Sequence, residues 1–97
     1  MKRPDLLTEE QIEIKLSDLD FWVKKDNSIE REIVVQNFVA AVGVVNSIAI
    51  FAEILDHHPD ILIYAWNKVR ITTSTHDKGG LTELDFELAK KIETLKL

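Results

Sequence analysis

Residues 37–60 read NFVAAVGVVNSIAIFAEILDHHPD, and the fold turns on where this stretch starts and stops being helical. Phe38, Val42, Val45, Ala49 and Ala52 recur at helical spacing. Val44, Ile48, Phe51, Ile54 and Leu55 carry apolar character well around the cylinder. The spacing predicts a helix from about Asn37 to Asp56. Pro59 cannot continue it and holds His58 toward an extended backbone. A helix apolar on more than one face has to be covered on more than one face. A 97-residue chain buries only about 60–65% of its unfolded surface, so its own core is modest. A second copy of the chain is the natural cover, and self-association through this helix or the sheet edges is expected.

Two hairpins flank the helix. Before it, β-prone runs at 21–23 and 29–35 are separated by the turn residues Asp26, Asn27 and Ser28. After it, runs at 61–66 and 69–75 meet at Asn67 and Lys68. In the last run Val69, Ile71, Thr73 and Thr75 point one way, and Arg70, Thr72, Ser74 and His76 the other. The greasier face is expected to meet the helices. At the two ends, Thr8 with Gln11 and Thr82 with Asp85 are capping boxes, backed by Leu7/Ile12 and Leu81/Phe86 as hydrophobic staples. The first helix is expected to run to about Leu19. In the last one Phe86, Ala89 and Ile92 keep helical spacing after a turn at Gly79 and Gly80. With no repeat or linker, residues 1–97 read as one α+β domain in the order α-β-β-α-β-β-α.

Composition narrows the function. Twelve basic against 17 acidic residues give a net charge of −5, and the lysines and arginines are scattered, so direct nucleic-acid binding is not expected. The apolar run at 33–55 is interrupted by Gln36, Asn37, Asn46, Ser47 and Glu53, which reads as too polar for a membrane span of about 20 apolar residues. Residues 1–7 lack the apolar run of a secretory signal. No cysteine is present, which removes disulfides and thiolate zinc sites and fits a reducing cytoplasm. A soluble cytoplasmic protein is the expectation.

The three histidines all stand near predicted ends of elements: His57 and His58 after the middle helix, His76 after the last strand. Such residues serve as polar caps or as acid–base groups. Glu53, four residues before His57, reaches that ring if the helix persists so far. A three-histidine zinc site is a further reading, disfavoured because adjacent histidines rarely converge on one ion. No serine or cysteine nucleophile is signalled, and Gly79-Gly80 lacks the lysine and spacing of a phosphate loop.

Taken together, Glu53-Ile54-Leu55-Asp56-His57-His58-Pro59-Asp60, the hairpin residues Asn67-Lys68-Val69, and Ser74-Thr75-His76-Asp77 stand in one order that resembles the pterin-4a-carbinolamine dehydratases. The resemblance runs from Leu7-Thr8-Glu9-Glu10 through Trp22 to Leu95. Trp66 departs from it, standing where a tyrosine is usual, and the strand at 61–66 reads one residue longer than in the animal enzymes.

The resemblance implies a four-stranded antiparallel sheet with three helices on one face, assembled as a homodimer or homotetramer. It implies a pterin substrate, 4a-hydroxytetrahydropterin, dehydrated to quinonoid dihydropterin in the service of an aromatic amino-acid hydroxylase. No metal and no organic cofactor are implied. His57 and His76 are assigned to the acid and base positions, with His58 positioning the pterin. Glu53 or Asp56 is expected to orient His57, and Glu53, Asp56, Pro59, Ser74, Thr75 and Asp77 to form the substrate site. Animal relatives double as dimerisation partners of a homeodomain transcription factor, and some plant and bacterial relatives act as assembly chaperones, so a protein-binding module on the same fold is the alternative. An enzyme acting on another pterin is a second one.

Overall fold

The structure, a computed structural model, describes residues 4–97. Lys2 and Arg3, the basic residues of the N-terminal stretch discussed above, lie outside the described residues. Along the chain the elements are α1 (Glu9–Leu16), β1 (Trp22–Lys25), β2 (Ser28–Val34), α2 (Phe38–Leu55), β3 (Asp60–Tyr64), β4 (Lys68–Thr73) and α3 (Glu83–Ile92), with a 3-10 turn at His76–Lys78 before α3. The strands form one antiparallel sheet in the order β1-β2-β4-β3. The register pairs Ile29 with Thr73, Ile33 with Val69, and Ile61 with Ile71. Those side chains share a face, and Ile29, Ile33, Val69 and Ile71 are buried in one core with Ile48, Phe86, Leu88, Ala89 and Ile92 of the helices.

Both capping boxes form. Thr8 and Gln11 bond each other's backbone N–H at the start of α1, and Thr82 and Asp85 do the same for α3. Asn37 caps α2, its side chain accepting from the Ala40 N–H at 2.8 Å. At the far end of α2 the chain closes a Schellman motif. Asp56 takes a left-handed φ of 50°, its N–H bonds the Glu53 carbonyl at 3.3 Å, and the His57 N–H bonds the Ala52 carbonyl at 3.0 Å. Aspartate tolerates that backbone better than most residues without being glycine.

Several boundaries differ from the sequence reading. α1 ends at Leu16, because Ser17 caps it. The first hairpin pairs Lys25 with Ser28, so its turn is only Asp26 and Asn27. The second pairs Tyr64 with Lys68, which places the turn at Ala65-Trp66-Asn67 and ends β3 two residues before Trp66. Both Ala65 (φ 46°) and Trp66 (φ 58°) are left-handed there. The buried stripe of α2 is Ala41, Val44, Ile48 and Ala52; Phe38, Val42 and Ala49 of the expected stripe are exposed, because the sheet and α3 meet the neighbouring flank. Phe38, Val39, Val42, Ile50 and Ile54 lie open, so α2 is indeed apolar beyond its covered face. Its 18 residues, at a mean hydropathy of 2.2, are also long and apolar enough to cross a membrane by length and composition. The sequence reading missed this because Gln36 and Asn37 fall before the helix, leaving Asn46, Ser47 and Glu53 as its conspicuous polar residues.

Candidate active site

The Schellman motif at the end of α2 sends two adjacent histidines in different directions. His57 turns inward and is only 5% exposed, with Nε2 at 2.6 Å from Oδ1 of Asp85. His58 stays on the surface, with Nε2 at 2.6 Å from Oε2 of Glu53. Glu53 therefore serves His58, not His57 as the sequence suggested. The left-handed Asp56 breaks the helix before an i,i+4 pair can reach the buried ring.

Asp85 is fully buried on the first turn of α3, and its carboxylate is saturated. Oδ1 lies 2.6 Å from Nε2 of His57 and accepts from the Thr73 hydroxyl (2.8 Å), and Oδ2 accepts from the Thr75 hydroxyl (2.9 Å) and the Thr82 backbone N–H (2.9 Å). A carboxylate has about four lone-pair positions, and all are used. Complete hydrogen bonding is what makes burial of such a group affordable. Because the Thr75 hydroxyl donates to Asp85, the 2.8 Å contact between Thr75 and Thr82 is a bond donated by Thr82.

The same network holds the loop that carries His76. Thr75 pairs its N–H with the Gly80 carbonyl at 2.8 Å, and its own carbonyl receives the N–H groups of Lys78 and Gly79. Gly79 closes the turn at φ 73°, a conformation that glycine adopts without strain. His76 opens the 3-10 turn and is exposed, as is Asp77 beside it. Ser74 and Pro59 are half-buried. Asp60, the first residue of β3, pairs with Thr72 near the end of β4, so residues 57–59 and 74–76 leave the sheet at the same end, and the three histidines stand on these two segments.

Trp66 belongs to no part of this. It sits at the opposite tip of the β3–β4 hairpin, a strand length of roughly 15 Å or more away at about 3.3 Å per residue. Two cavities, of about 610 Å³ beside Gly43, Val44 and Lys96 and about 170 Å³ beside Ile12, Lys24 and Gly80, include none of the histidines. Among the described residues no set of three or more histidine, aspartate or glutamate side chains is grouped to hold a metal ion.

Asp85 is the residue that sequence reasoning missed, having been read only as a helix cap. A signal was present: Thr73 and Thr75 put two hydroxyls on the strand face that also carries Val69 and Ile71. Polar groups repeating on a buried face imply a buried partner.

The family model for pterin 4 alpha carbinolamine dehydratase matches residues 5–95. A protein of Acidobacterium capsulatum named for pterin-4-alpha-carbinolamine dehydratase is 49% identical over 89 residues, covering 92% of this chain and 96% of its own. One of Picosynechococcus sp., named likewise, is 45% identical over 89 residues with the same shares. The crystal structure of a transcriptional coactivator/pterin dehydratase from Brucella melitensis is similar at a TM-score of 0.87 and 38% identity, across 93% of this chain and 97% of that one.

Proposed function

Because the chain belongs to the pterin-4a-carbinolamine dehydratase family, we propose that it removes water from 4a-hydroxytetrahydropterin by histidine acid–base catalysis and so returns a pterin cofactor to an aromatic amino-acid hydroxylase. The observation that carries this reading is the gathering of His57, His58 and His76 at one end of β3 and β4, with His57 bonded to a buried carboxylate. Hydroxide leaves poorly, so one group protonates the C4a hydroxyl while another takes the N5 proton; water departs and a C4a=N5 bond forms. Imidazole holds either protonation state near neutral pH, and each positioned acid or base typically contributes about 10²–10⁴-fold. His58, held by Glu53, is placed to orient the pterin. Pro59, Ser74, Thr75, Asp56 and Asp77 stand on the same segments and form its surroundings. The reaction calls for no metal and no organic cofactor, and a cytoplasmic location suits it.

The exposed apolar flank of α2 supports assembly as a homodimer or homotetramer. That flank also favours the one competing reading, a protein-binding module, which the coactivator naming of the Brucella melitensis protein matches. The discriminating experiment is turnover of freshly generated 4a-hydroxytetrahydropterin. Native protein is expected to accelerate dehydration, with His57→Ala and His76→Ala each about 100-fold slower. A native chain no faster than the spontaneous reaction would reject the dehydratase reading.

A further inference from the structure

We propose that Glu30 and Arg70, with Thr72 between them on the open face of the sheet, form a subsite for a hydroxylated side chain at C6 of the pterin. The proposal rests on the dehydratase reading for the identity of the ring and deepens it by naming the substituent. Glu30, Thr72 and Asp60 lie in one cross-strand row, and Glu32, Arg70 and Leu62 in the next. The alternation that buries Ile29, Ile71 and Thr73 turns these rows, and Ser74 with them, to the face away from the helices. Thr72 stands two residues from Ser74, about 7 Å at about 3.3 Å per residue, and its partner Asp60 stands two residues from His58. The first row therefore adjoins both segments that carry the histidines.

This cluster has hydrogen-bonding capacity to spare. Where Asp85 is saturated, Glu30 accepts from the Thr72 hydroxyl at a long 3.4 Å and meets Lys25 Nζ at 3.4 Å and Arg70 Nε at 3.7 Å, although its side chain is only 18% exposed. Arg70 lies 4.8 Å from the centroid of the Tyr64 ring, and its Nη2 is 3.7 Å from Glu32. Contacts of 3.7 Å are ion pairs and not hydrogen bonds, and Nε of Arg70 makes no hydrogen bond. An acceptor and a five-donor guanidinium thus stand side by side, neither fully engaged.

Charge decides what fits there. Across the open face Glu30, Glu32 and Asp60 balance Lys25, Arg70 and Lys68, so there is no positive excess. A side chain bearing a carboxylate or phosphate loses at Glu30 and Glu32 what it gains at Arg70. A hydroxyl both donates and accepts, so a pair on neighbouring carbons donates to Glu30 and accepts from Arg70. A methyl group does neither.

The test is a ratio of efficiencies. In the native protein kcat/KM for a 4a-hydroxytetrahydropterin with a 1,2-dihydroxypropyl group at C6 is expected to exceed that for the 6-methyl analogue by about tenfold, the size of a hydrogen bond to a charged group. Glu30→Val removes the acceptor with a residue suited to a strand, and Arg70→Met removes the donor. Each is expected to bring the ratio to about threefold or less, with the loss in KM. General damage to the fold lowers both efficiencies together, so a native ratio retained in both variants overturns the proposal. A native ratio near one overturns it too, as does preference for a carboxylate-ended side chain over the diol. Should one variant not fold, the native ratio and the other variant decide. If the native protein dehydrates neither substrate the functional reading fails. Quenching of pterin fluorescence, comparing oxidised biopterin with 6-methylpterin, then tests the subsite alone: tighter binding of biopterin that Glu30→Val abolishes supports it, and equal dissociation constants overturn it.

Discussion

The indole Nε1 of Trp22 donates to Oε2 of Glu93 at 2.9 Å, joining β1 to the residue that caps α3 across 71 positions of sequence. The same oxygen lies 3.2 Å from Nε of Arg31, whose guanidinium packs 4.8 Å from the centroid of the Phe21 ring. One carboxylate thus accepts the hydrogen bond of a buried indole and ion-pairs with a nearly buried cation on the adjacent strand, whose Nε and Nη1 make no hydrogen bond. Glu93→Ala leaves both without it and is expected to destabilise the fold by about 1–3 kcal/mol, the usual cost of stranding buried polar groups. Urea unfolding would register this as a lower midpoint with an unchanged slope. Turnover at low denaturant is expected to stay near native.

Glu53 and His58 make the contrasting case. Both are largely exposed, so their 2.6 Å contact contributes little to stability. Glu53→Gln is expected to leave the unfolding midpoint where it is. Since His58 loses the charge that orients it, kcat/KM for the pterin is expected to fall several-fold; an unchanged kcat/KM would mean that this pair has no part in the reaction.

The β3–β4 hairpin carries strain that sequence changes can relieve. Ala65 and Trp66 are both left-handed, a conformation that costs a non-glycine residue roughly 1–2 kcal/mol and that Asn-Gly adopts readily. Trp66 is 61% exposed, so its removal opens no cavity. Ala65→Asn with Trp66→Gly is expected to stabilise the protein by about 1 kcal/mol in thermal or urea unfolding. Activity is expected to be unaffected, since the tip lies at the other end of the sheet from the histidines.

On the open flank of α2, Ile54 is 68% exposed and Val42 39% exposed. Light scattering of the native protein at micromolar concentration is expected to give twice or four times the chain mass. Ile54→Lys is expected to lower that value while the helical circular dichroism persists. A native monomer would refute self-association through this helix.

The order of elements could be read without the structure because its punctuation is local. Thr8 with Gln11, Thr82 with Asp85 and Asn37 before Phe38 each satisfy helix ends with side chains three or fewer residues away. Asp26-Asn27 and Pro59 break the chain by their own backbone chemistry. The alternation of Val69, Ile71, Thr73 and Thr75 inward was equally legible, and all four are buried. What could not be read were partnerships across distance. Glu53 looked like the partner of His57 because helical spacing allows it, and only the reversal at Asp56 shows otherwise. Asp85 stands 28 residues from His57, and nothing in their spacing joins them. The turn at Ala65 and Trp66 was misplaced because strand pairing, and not residue preference, decides it.

Asp85 has a consequence for truncation. His57 follows α2, and Thr73 and Thr75 stand at and just beyond the end of β4, whereas their shared partner is carried by α3, the last helix along the chain. A chain shortened before α3 would keep all three histidines and lose the carboxylate that joins His57 to the two threonines, together with Phe86, Leu88, Ala89 and Ile92 of the core. Loss of the last helix therefore removes packing and site chemistry in one step.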